Sequence, residues 1–390
     1  MGSLTAPHFT MNHRVTLVSL LIVGSLLGDP APVDVFRLPP GTLQPVGVTD
    51  SGGTVHWVWL QGEPGACDVY YQRWPDGNPV NTPALRVNSQ PGSAVAVGTI
   101  RGAQIALGRE GWVHVVWNGT SRAETAPGDG APVLYSRLSR SGTAFDPSRN
   151  LRGTTAFLDG GASVAADASG HVTVVWHAAT QRDGATEKNR HVFAARSVDD
   201  GTHFLPAEIL DPEGGVCGCC GLRAFVDPAG HLSVLYRAAG NSSGRPMVLL
   251  ENSETRGPTR KVLSDPWPIE GCPMSTSTLV AGSHRVLAAW ETESHIRFAS
   301  LAAGSPTTPS MTTVSGDTPA RHPALAVNAK GEILCVWAEG TGWQRGGGVA
   351  WRTLSASGAP TGPIQRRDGL PVWSFPAAYS RPDGSFVVAY

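Results

Sequence analysis

A short apolar motif that recurs along the chain constrains the fold more than any other feature of the sequence. One copy reads Gly-His-Val-Thr-Val-Val-Trp over residues 170–176, a turn glycine followed by a β-branched run that closes on an aromatic residue. In every copy the aromatic residue lies six positions after the turn, and successive copies are 47 to 60 residues apart. The copies close on Trp59, Trp117, Trp176, Tyr236, Trp290, Trp337 and Tyr390. An internal repeat of this period indicates a repeat array or a closed propeller.

Each repeat also contains further short apolar segments, separated by Gly, Asp, Asn and Pro residues that are typical of turns. No helical periodicity follows residue 30. A repeated four-strand meander is the blade of a β-propeller, so we predict an all-β propeller in a single domain over residues 31–390. Six repeats carry four segments and the last carries two, which favours seven blades over six. Residues 33–37 form a spare strand, which we expect to pair with the C-terminal hairpin and close the ring.

Residues 1–30 differ in composition from the rest of the chain. A short basic segment ends at Arg14, and an apolar run of 13 residues follows over residues 15–27. The run is too short for a spanning helix and matches the apolar region of a signal peptide. We predict a signal peptide, with an uncleaved N-terminal anchor as the alternative. Both place the propeller in the periplasm or outside the cell, where disulfides can form.

The charge of the chain argues against some partners. The formal net charge is −1 and only 16% of the residues are charged, so no global field attracts nucleic acid or anionic lipid. We expect a monomer without a nucleic-acid partner, which contacts a membrane only through an uncleaved N-terminal segment. The meander places the long loops 118–131, 177–190 and 339–348 on one face, the face of the blade-to-blade crossings. Long loops on a rigid scaffold commonly carry function, so we place the site there.

Two short motifs carry a family resemblance. Ser-Val-Asp-Asp-Gly-Thr-His-Phe over residues 197–204 resembles the Asp-box, or BNR repeat, of the sialidase-like propellers. In such a turn the aspartate caps backbone N–H groups, the glycine takes a positive φ and the aromatic ring packs beneath. Phe-Arg-Leu-Pro over residues 36–39 is similar to a signature of the same superfamily. The resemblance implies an exported propeller whose partner is a carbohydrate or glycoconjugate.

The same resemblance implies an arginine clamp, because sialidases hold the sugar carboxylate with three arginines in bidentate pairs. Counting ten residues back from each turn places Arg101 and Arg321 at equivalent positions on different blades. Arg223 lies three residues further along its own strand and is a candidate for the third. His322 and Trp373 lie beside these positions as further candidates for substrate binding. The alternative is that the arginines bind carbonyl groups of the crossing loops.

The catalytic residues of the family are harder to match. Its nucleophile is a tyrosine paired with a glutamate; Tyr236 lies nearest the loop face, and Glu291 and Glu339 are carboxylates that can act as acid or base. Solvated surface carboxylates are the simpler interpretation of both. Three functions therefore compete: a glycoside hydrolase of the exo-α-sialidase kind, a non-catalytic propeller that binds glycan or protein, and a metal or redox role for a cluster of cysteines. The missing tyrosine nucleophile favours the second.

Four cysteines form a separate signal on two neighbouring crossings. Cys217, Cys219 and Cys220 lead into the fourth blade, and Cys272 leads into the fifth. We expect a disulfide between Cys272 and one of the other three. The alternative is a metal or redox site that adds Met274 and His322, whose soft ligands favour copper(I). We expect no cofactor unless this alternative holds, and in that case the cofactor is copper.

Overall fold

The computed structural model describes residues 1–2, 30–98, 102–123, 131–156, 158, 160–180, 186–239, 244–253, 256–263, 267–269, 271–283, 285–302 and 309–390. Ala31–Tyr390 form one compact unit. The predicted signal peptide or anchor lies almost entirely outside the described residues. Within the described part of the chain, no helix has the length and apolar character needed to cross a membrane.

The described residues form seven sheets, which are the seven blades of an all-β propeller, as predicted. Strand β1 (Val33–Phe36) precedes the first blade. The first three blades comprise β2 (Leu43–Thr49), β3 (Val55–Glu63), β4 (Ala66–Trp74) and β5 (Leu85–Arg86); β6 (Gln104–Leu107), β7 (Val113–Asn118), β8 (Val133–Arg137) and β9 (Arg149–Asn150); and β10 (Ser163–Ala166), β11 (Val172–Ala179), β12 (Arg190–Ser197) and β13 (Glu208–Ile209).

The next three blades repeat the same antiparallel meander. They comprise β14 (Arg223–Val226), β15 (Leu232–Arg237), β16 (Met247–Ser253) and β17 (Arg256–Val262); β18 (Ser277–Gly282), β19 (Arg285–Thr292), β20 (His295–Leu301) and β21 (Met311–Thr313); and β22 (Ala320–Val327), β23 (Ile333–Glu339), β24 (Gly347–Leu354) and β25 (Gln365–Leu370). Short 3-10 helices lie in the connections at Pro75–Gly77, Arg109–Gly111 and Glu187–Asn189.

The seventh blade joins the two ends of the propeller. It contains β26 (Ala377–Ser380), β27 (Phe386–Ala389) and the N-terminal β1, in that order from the centre. Strand β1 runs parallel to β27 and pairs Val33 with Phe386 and Phe36 with Ala389. The predicted closure of the ring by an N-terminal strand is therefore confirmed. It covers the edge that the C-terminal hairpin would otherwise expose.

The repeated motif forms the second strand of each blade. Every residue of β11 is buried, including Trp176, because both faces of a blade pack against neighbouring blades. The closing aromatic rings of three other blades, Trp117, Trp290 and Trp337, are also fully buried. The aromatic residue thus fills the space between blades, which explains its fixed place in the repeat.

A turn between β12 and β13 joins the second and third blades on the face opposite the crossings. Asp199 Oδ1 accepts a hydrogen bond of 2.9 Å from the backbone N–H of His203, and Gly201 has a φ of +72°. Phe204 packs edge-to-face on Tyr135 of the preceding blade, with ring centroids 4.9 Å apart. The turn has the capping aspartate, left-handed glycine and packed aromatic expected from its sequence.

The seven innermost strands line a central channel of about 700 Å³. Its wall is largely apolar, with side chains such as Val46, Ile105 and Leu325. Arg223 is the basic residue among the described residues that line it. Because Arg223 is the first residue of β14, it lies at the end of the channel that faces the crossing loops.

Candidate functional site

The segments that lead into the innermost strands contact one another around the channel on the crossing-loop face. We call this set the mouth ring; it comprises Gln44, Gly102, Gly160, Cys220, Thr276, His322 and Phe375. His322 joins three blades, since its Nδ1 lies 3.3 Å from Thr276 Oγ1 and its ring centroid lies 5.9 Å from that of Phe375. A side chain at Gly160 would overlap both His177 and the Cys220 carbonyl. The mouth of the channel is therefore tightly packed.

Arg223 places a cation just inside this ring. Its Nη1 donates a hydrogen bond of 3.1 Å to the Leu222 carbonyl. Burial lowers the pKa of the guanidinium to about 10, so it remains charged at neutral pH. No carboxylate of the described residues forms an ion pair with it. A half-buried cation without a counter-charge is a candidate anion site.

Arg321 lies beside a carboxyl group that does not neutralise it at neutral pH. Its Nε is 3.7 Å from Glu291 Oε1. Glu291 is completely buried, and neither of its oxygens has a hydrogen-bond partner among the described residues. Burial raises the pKa of Glu291 to about 8, against the opposing effect of Arg321 and Arg237. The interpretation of Glu291 as a solvated surface carboxylate is wrong, because the neighbouring crossing covers it.

His322 is neutral as well. Burial lowers its pKa to about 3, and the charges of Arg321 and Arg223 lower it further. Arg321 directly precedes His322 in the chain, and Arg223 lies just inside the mouth ring, so two of the three candidate clamp arginines are close to this imidazole. Arg101, the other arginine predicted at a position equivalent to that of Arg321, lies outside the described residues.

The other two predicted catalytic residues belong to the framework. Glu339 is buried rather than solvated, and it accepts hydrogen bonds from Arg366 Nε at 2.7 Å and Trp337 Nε1 at 3.0 Å. Tyr236 is fully buried and its hydroxyl donates to Asp211. Burial and this hydrogen bond both raise the pKa of Tyr236. Neither side chain has a group free to react in this arrangement.

Trp373 forms part of an aromatic pair on the loop face. Its ring packs edge-to-face on Trp343, with centroids 4.7 Å apart and planes at 83°. Trp343 is 63% exposed, and the Trp373 carbonyl accepts a hydrogen bond of 2.9 Å from Gln44 Nε2. The pair is therefore anchored to the mouth ring and offers an aromatic surface to solvent. Such a surface suits stacking against the apolar face of a sugar.

A set of buried polar residues supports the mouth ring from below. They directly follow the closing aromatic residue in blades two to five: Asn118, His177, Arg237 and Glu291. Asn118 Nδ2 donates to the Gly160 carbonyl at 2.6 Å, and His177 Nε2 lies 3.0 Å from the Cys220 carbonyl. The first three are not among the predicted site residues. Their signal in the sequence is a polar side chain one position after a buried aromatic residue.

The cysteines of the two crossings form one buried cluster. A disulfide joins Cys219 to Cys272, as expected for Cys272 and one of the three. Cys217 Sγ lies 3.1 Å from Cys220 Sγ and 3.5 Å from Cys219 Sγ. Met274 packs against this cysteine cluster. In the part of the chain that the structure describes, Cys217, Cys219 and Cys220 are the potential metal-binding side chains that come together, without His322.

Two arginines act on the free thiols of this cluster. Burial by itself raises the pKa of Cys220, but the hydrogen bond with Cys217 and the charges of Arg237 and Arg245 lower it below the usual value of a thiol. Arg245 Nη2 forms an ion pair of 2.8 Å with Glu187 Oε2. The cluster is thus buried and lies in positive surroundings.

Comparison with known proteins supports the fold. No protein-family model matches the sequence, and no curated protein matches it. A Dyadobacter fermentans protein of unknown function has a similar structure, with a TM-score of 0.51 and 12% identity over 86% of this chain and 96% of that chain. The Hadza microbial sialidase Hz136 has a TM-score of 0.50 and 12% identity, over 86% of this chain and 76% of that chain. At such identities the likeness shows the propeller fold alone.

Proposed function

We propose that this protein is exported and binds an anionic glycan at the mouth of its channel, without hydrolysing it. The observation that carries the proposal is Arg223, a cation enclosed at the end of the channel without a carboxylate partner among the described residues. Burying an uncompensated charge costs free energy, which a bound anion would offset. A carboxylate-bearing sugar, such as a sialic or uronic acid, supplies that anion.

The neighbouring groups leave the mouth positive at neutral pH. The pKa of Glu291 is about 8 and that of His322 about 3, so both side chains are neutral at pH 7. Arg223 and Arg321 therefore keep their charge for a ligand. A guanidinium can bind a carboxylate through two parallel hydrogen bonds, which suits an acidic sugar better than a neutral one.

The pair of Trp343 and Trp373 supports a carbohydrate rather than a small inorganic anion. Trp343 is exposed, and Trp373 is bound to the mouth ring through Gln44. A pyranose ring could place its carboxylate toward the arginines and its apolar face on an indole ring. One protein of similar structure is a sialidase, an enzyme that acts on an acidic sugar. This agrees with the proposed class of ligand.

The state of the tyrosines favours binding over hydrolysis. Five tyrosine hydroxyls are engaged in the framework: Tyr71 with His56, Tyr135 with His114, Tyr236 with Asp211, Tyr379 with the Gly77 carbonyl and Tyr390 with the Asp368 carbonyl. The sixth, Tyr70, stacks on Trp59. A retaining sialidase of the kind that the resemblance implies needs a tyrosine nucleophile beside a glutamate, and Glu291 has no such neighbour among its described contacts.

Export is supported by the disulfide between Cys219 and Cys272 and by the signal-like composition of residues 1–30. Disulfides persist in oxidising compartments and are rare in the cytosol. Fractionation of cells that produce the protein, followed by mass spectrometry of its N-terminal peptide, tests both the location and the cleavage.

The binding proposal is tested on an array of glycans that contains each acidic glycan beside its carboxyl-reduced form. We expect binding to the acidic forms alone, and a loss of at least about tenfold in affinity for Arg223→Ala and for Arg321→Ala. Arg101→Ala tests the arginine predicted at the position equivalent to that of Arg321. Arg86→Ala, an exposed arginine on β5, serves as the matched control and should bind like the wild type.

Equal binding of acidic and carboxyl-reduced glycans would contradict the proposal. If the same sample hydrolyses a fluorogenic sialoside, the protein is a hydrolase and the proposal of binding without hydrolysis is wrong. In that case Glu291, with its raised pKa, becomes the candidate general acid, and Glu291→Gln should abolish turnover while leaving affinity in place.

A further inference from the structure

The two free thiols of the cysteine cluster are not assigned to glycan binding, although Cys220 belongs to the mouth ring. Cys217 and Cys220 are buried and unoxidised, and their sulfur atoms are 3.1 Å apart. The third sulfur of the motif, on Cys219, is joined to Cys272. The chain therefore holds two adjacent thiols in a fixed loop, and the disulfide ties that loop to the next crossing.

A methionine packs against the cluster that contains this pair. Met274 belongs to the crossing into the fifth blade and packs on the cluster. Its φ is +49°, a left-handed conformation that costs free energy for a residue other than glycine. The surrounding crossings thus hold Met274 against the cysteine cluster although the backbone there is strained. Thiolate and thioether sulfurs together are the ligands that select copper(I).

The positively charged side chains around the two thiols favour a monovalent over a divalent metal ion. Arg237 Nε and Arg245 Nη1 are buried and have no hydrogen-bond partner among the described residues. Glu187, a nearby carboxylate, is engaged with Arg245 and with the backbone N–H of Gly218 at 2.8 Å. Copper(I) between two thiolates carries a net charge of −1, which the arginines would stabilise. With a divalent ion, the site of metal and two thiolates would have no net charge, and the arginines would not stabilise it.

We propose that Cys217 and Cys220 bind one copper(I) ion as thiolates, with Met274 as a third sulfur ligand. Binding releases the two thiol protons and transfers no electron. Zinc is disfavoured because its structural sites require four tetrahedral ligands, whereas Cys219 is held in the disulfide. This site does not depend on glycan binding, and its failure would leave the arginine site untouched.

The first test counts thiols on the anaerobically purified protein. We expect four free thiols in the denatured, copper-free chain, from Cys67, Cys217, Cys220 and Cys335. In the folded protein, loading with copper(I) should slow the alkylation of Cys217 and Cys220 relative to the copper-free protein and leave that of the equally buried Cys67 and Cys335 unchanged, as read by peptide mapping. A count of two would show that this pair is a disulfide and would overturn the proposal, with no variant needed.

The second test is a competition for copper(I) against bicinchoninate, which reports the metal by its colour. The wild type should withdraw one equivalent, and X-ray absorption should show a shell of sulfur alone. Cys217→Ser and Cys220→Ser should each lower the affinity by at least about a hundredfold, and Met274→Leu by about tenfold. Cys67→Ser and Cys335→Ser, which change buried free thiols elsewhere, are the controls and should bind like the wild type.

Two results of this competition would overturn the proposal. One is that the wild type withdraws no copper from the chelator. The other is that the double variant Cys217→Ser with Cys220→Ser still withdraws one equivalent. Tighter retention of zinc(II) than of copper(I) would overturn the choice of metal.

Discussion

Arg321 Nε lies 3.7 Å from Glu291 Oε1, and Glu291 is completely buried. Neither carboxyl oxygen has a hydrogen-bond partner among the described residues. The desolvation of this carboxyl outweighs the attraction of the arginine and raises its pKa to about 8. The pair therefore changes its net charge near pH 8, because the glutamate loses its proton while the arginine stays charged.

The stability of the protein should depend on this proton. The pKa of Glu291 is about 8 in the folded chain and near 4.5 when exposed, so the folded chain binds the proton more tightly. The free energy of unfolding should therefore fall as the pH rises from about 4.5 to about 8. Glu291→Gln should remove part of that fall, on the order of a few kcal/mol, in urea unfolding at several pH values. The same fall in Glu291→Gln as in the wild type would contradict the assignment, and Glu293→Gln, on an exposed neighbour, is the control.

The same titration should control anion binding at the mouth. Above about pH 8, the ionised Glu291 pairs with Arg321 and competes with a ligand carboxylate. The affinity for an acidic glycan should therefore decrease as the pH rises through 8, measured by calorimetry at constant ionic strength. In Glu291→Gln this decrease should vanish, while a decrease of the same size in the variant would assign it to another group.

We expect Arg223 to lower the stability of the folded protein while it contributes to glycan binding. Replacing it with methionine keeps much of the side chain's volume and removes a half-buried cation that lacks a carboxylate partner among the described residues. Arg223→Met should raise the free energy of unfolding by about 1 kcal/mol and abolish glycan binding. Arg86→Met on the exposed edge of the first blade should change neither quantity. Destabilisation by Arg223→Met would mean that the charge is compensated in the folded protein.

The fold could be predicted from the sequence because the motif that indicates it lies within a short segment of the chain. A turn, a β-branched run and an aromatic residue at a fixed distance recur within a single strand, and each copy is buried by the same packing between blades. The pairing of residues 33–36 with the C-terminal hairpin was also predictable, since the last repeat contained only two strands. Counting strands was enough, and no knowledge of side-chain contacts was required.

The burial and the partners of the site residues could not be predicted from the sequence, because they depend on contacts between distant parts of the chain. Glu291 follows Trp290 at the end of a strand and looks like the start of an exposed loop. Its burial comes from the crossing that carries Arg321, thirty residues later in the chain. In the same way, three cysteines within four positions gave no reason to choose Cys219 as the partner of Cys272. The direction of each side chain in the folded loop decides that pairing.

Two equivalent glycines should separate backbone strain from steric overlap. Gly201 and Gly142 lie in corresponding turns of neighbouring blades, with φ values of +72° and +69°. A Cβ at Gly201 would overlap the Tyr135 hydroxyl, whereas at Gly142 the nearest atom, Arg73 Nη2, would be 3.7 Å away. Gly142→Ala should cost about 1 kcal/mol, from strain alone. Gly201→Ala should cost at least about 2 kcal/mol more, because it also displaces Tyr135; equal losses in thermal unfolding would show that the turn relaxes freely.

Removal of the closing strand should destabilise the whole ring rather than one blade. A chain that begins after residue 38 lacks β1, so β27 loses its parallel partner and exposes its backbone groups at a sheet edge. Because the seventh blade packs between the first and the sixth, we expect the melting temperature to fall by more than about 10 °C and soluble protein to decrease through edge pairing. A chain that begins at Pro30 keeps β1 and should melt like the full chain. If both truncated chains melt at the same temperature, β1 contributes nothing to closure, and the hairpin of β26 and β27 is sufficient to hold the ring.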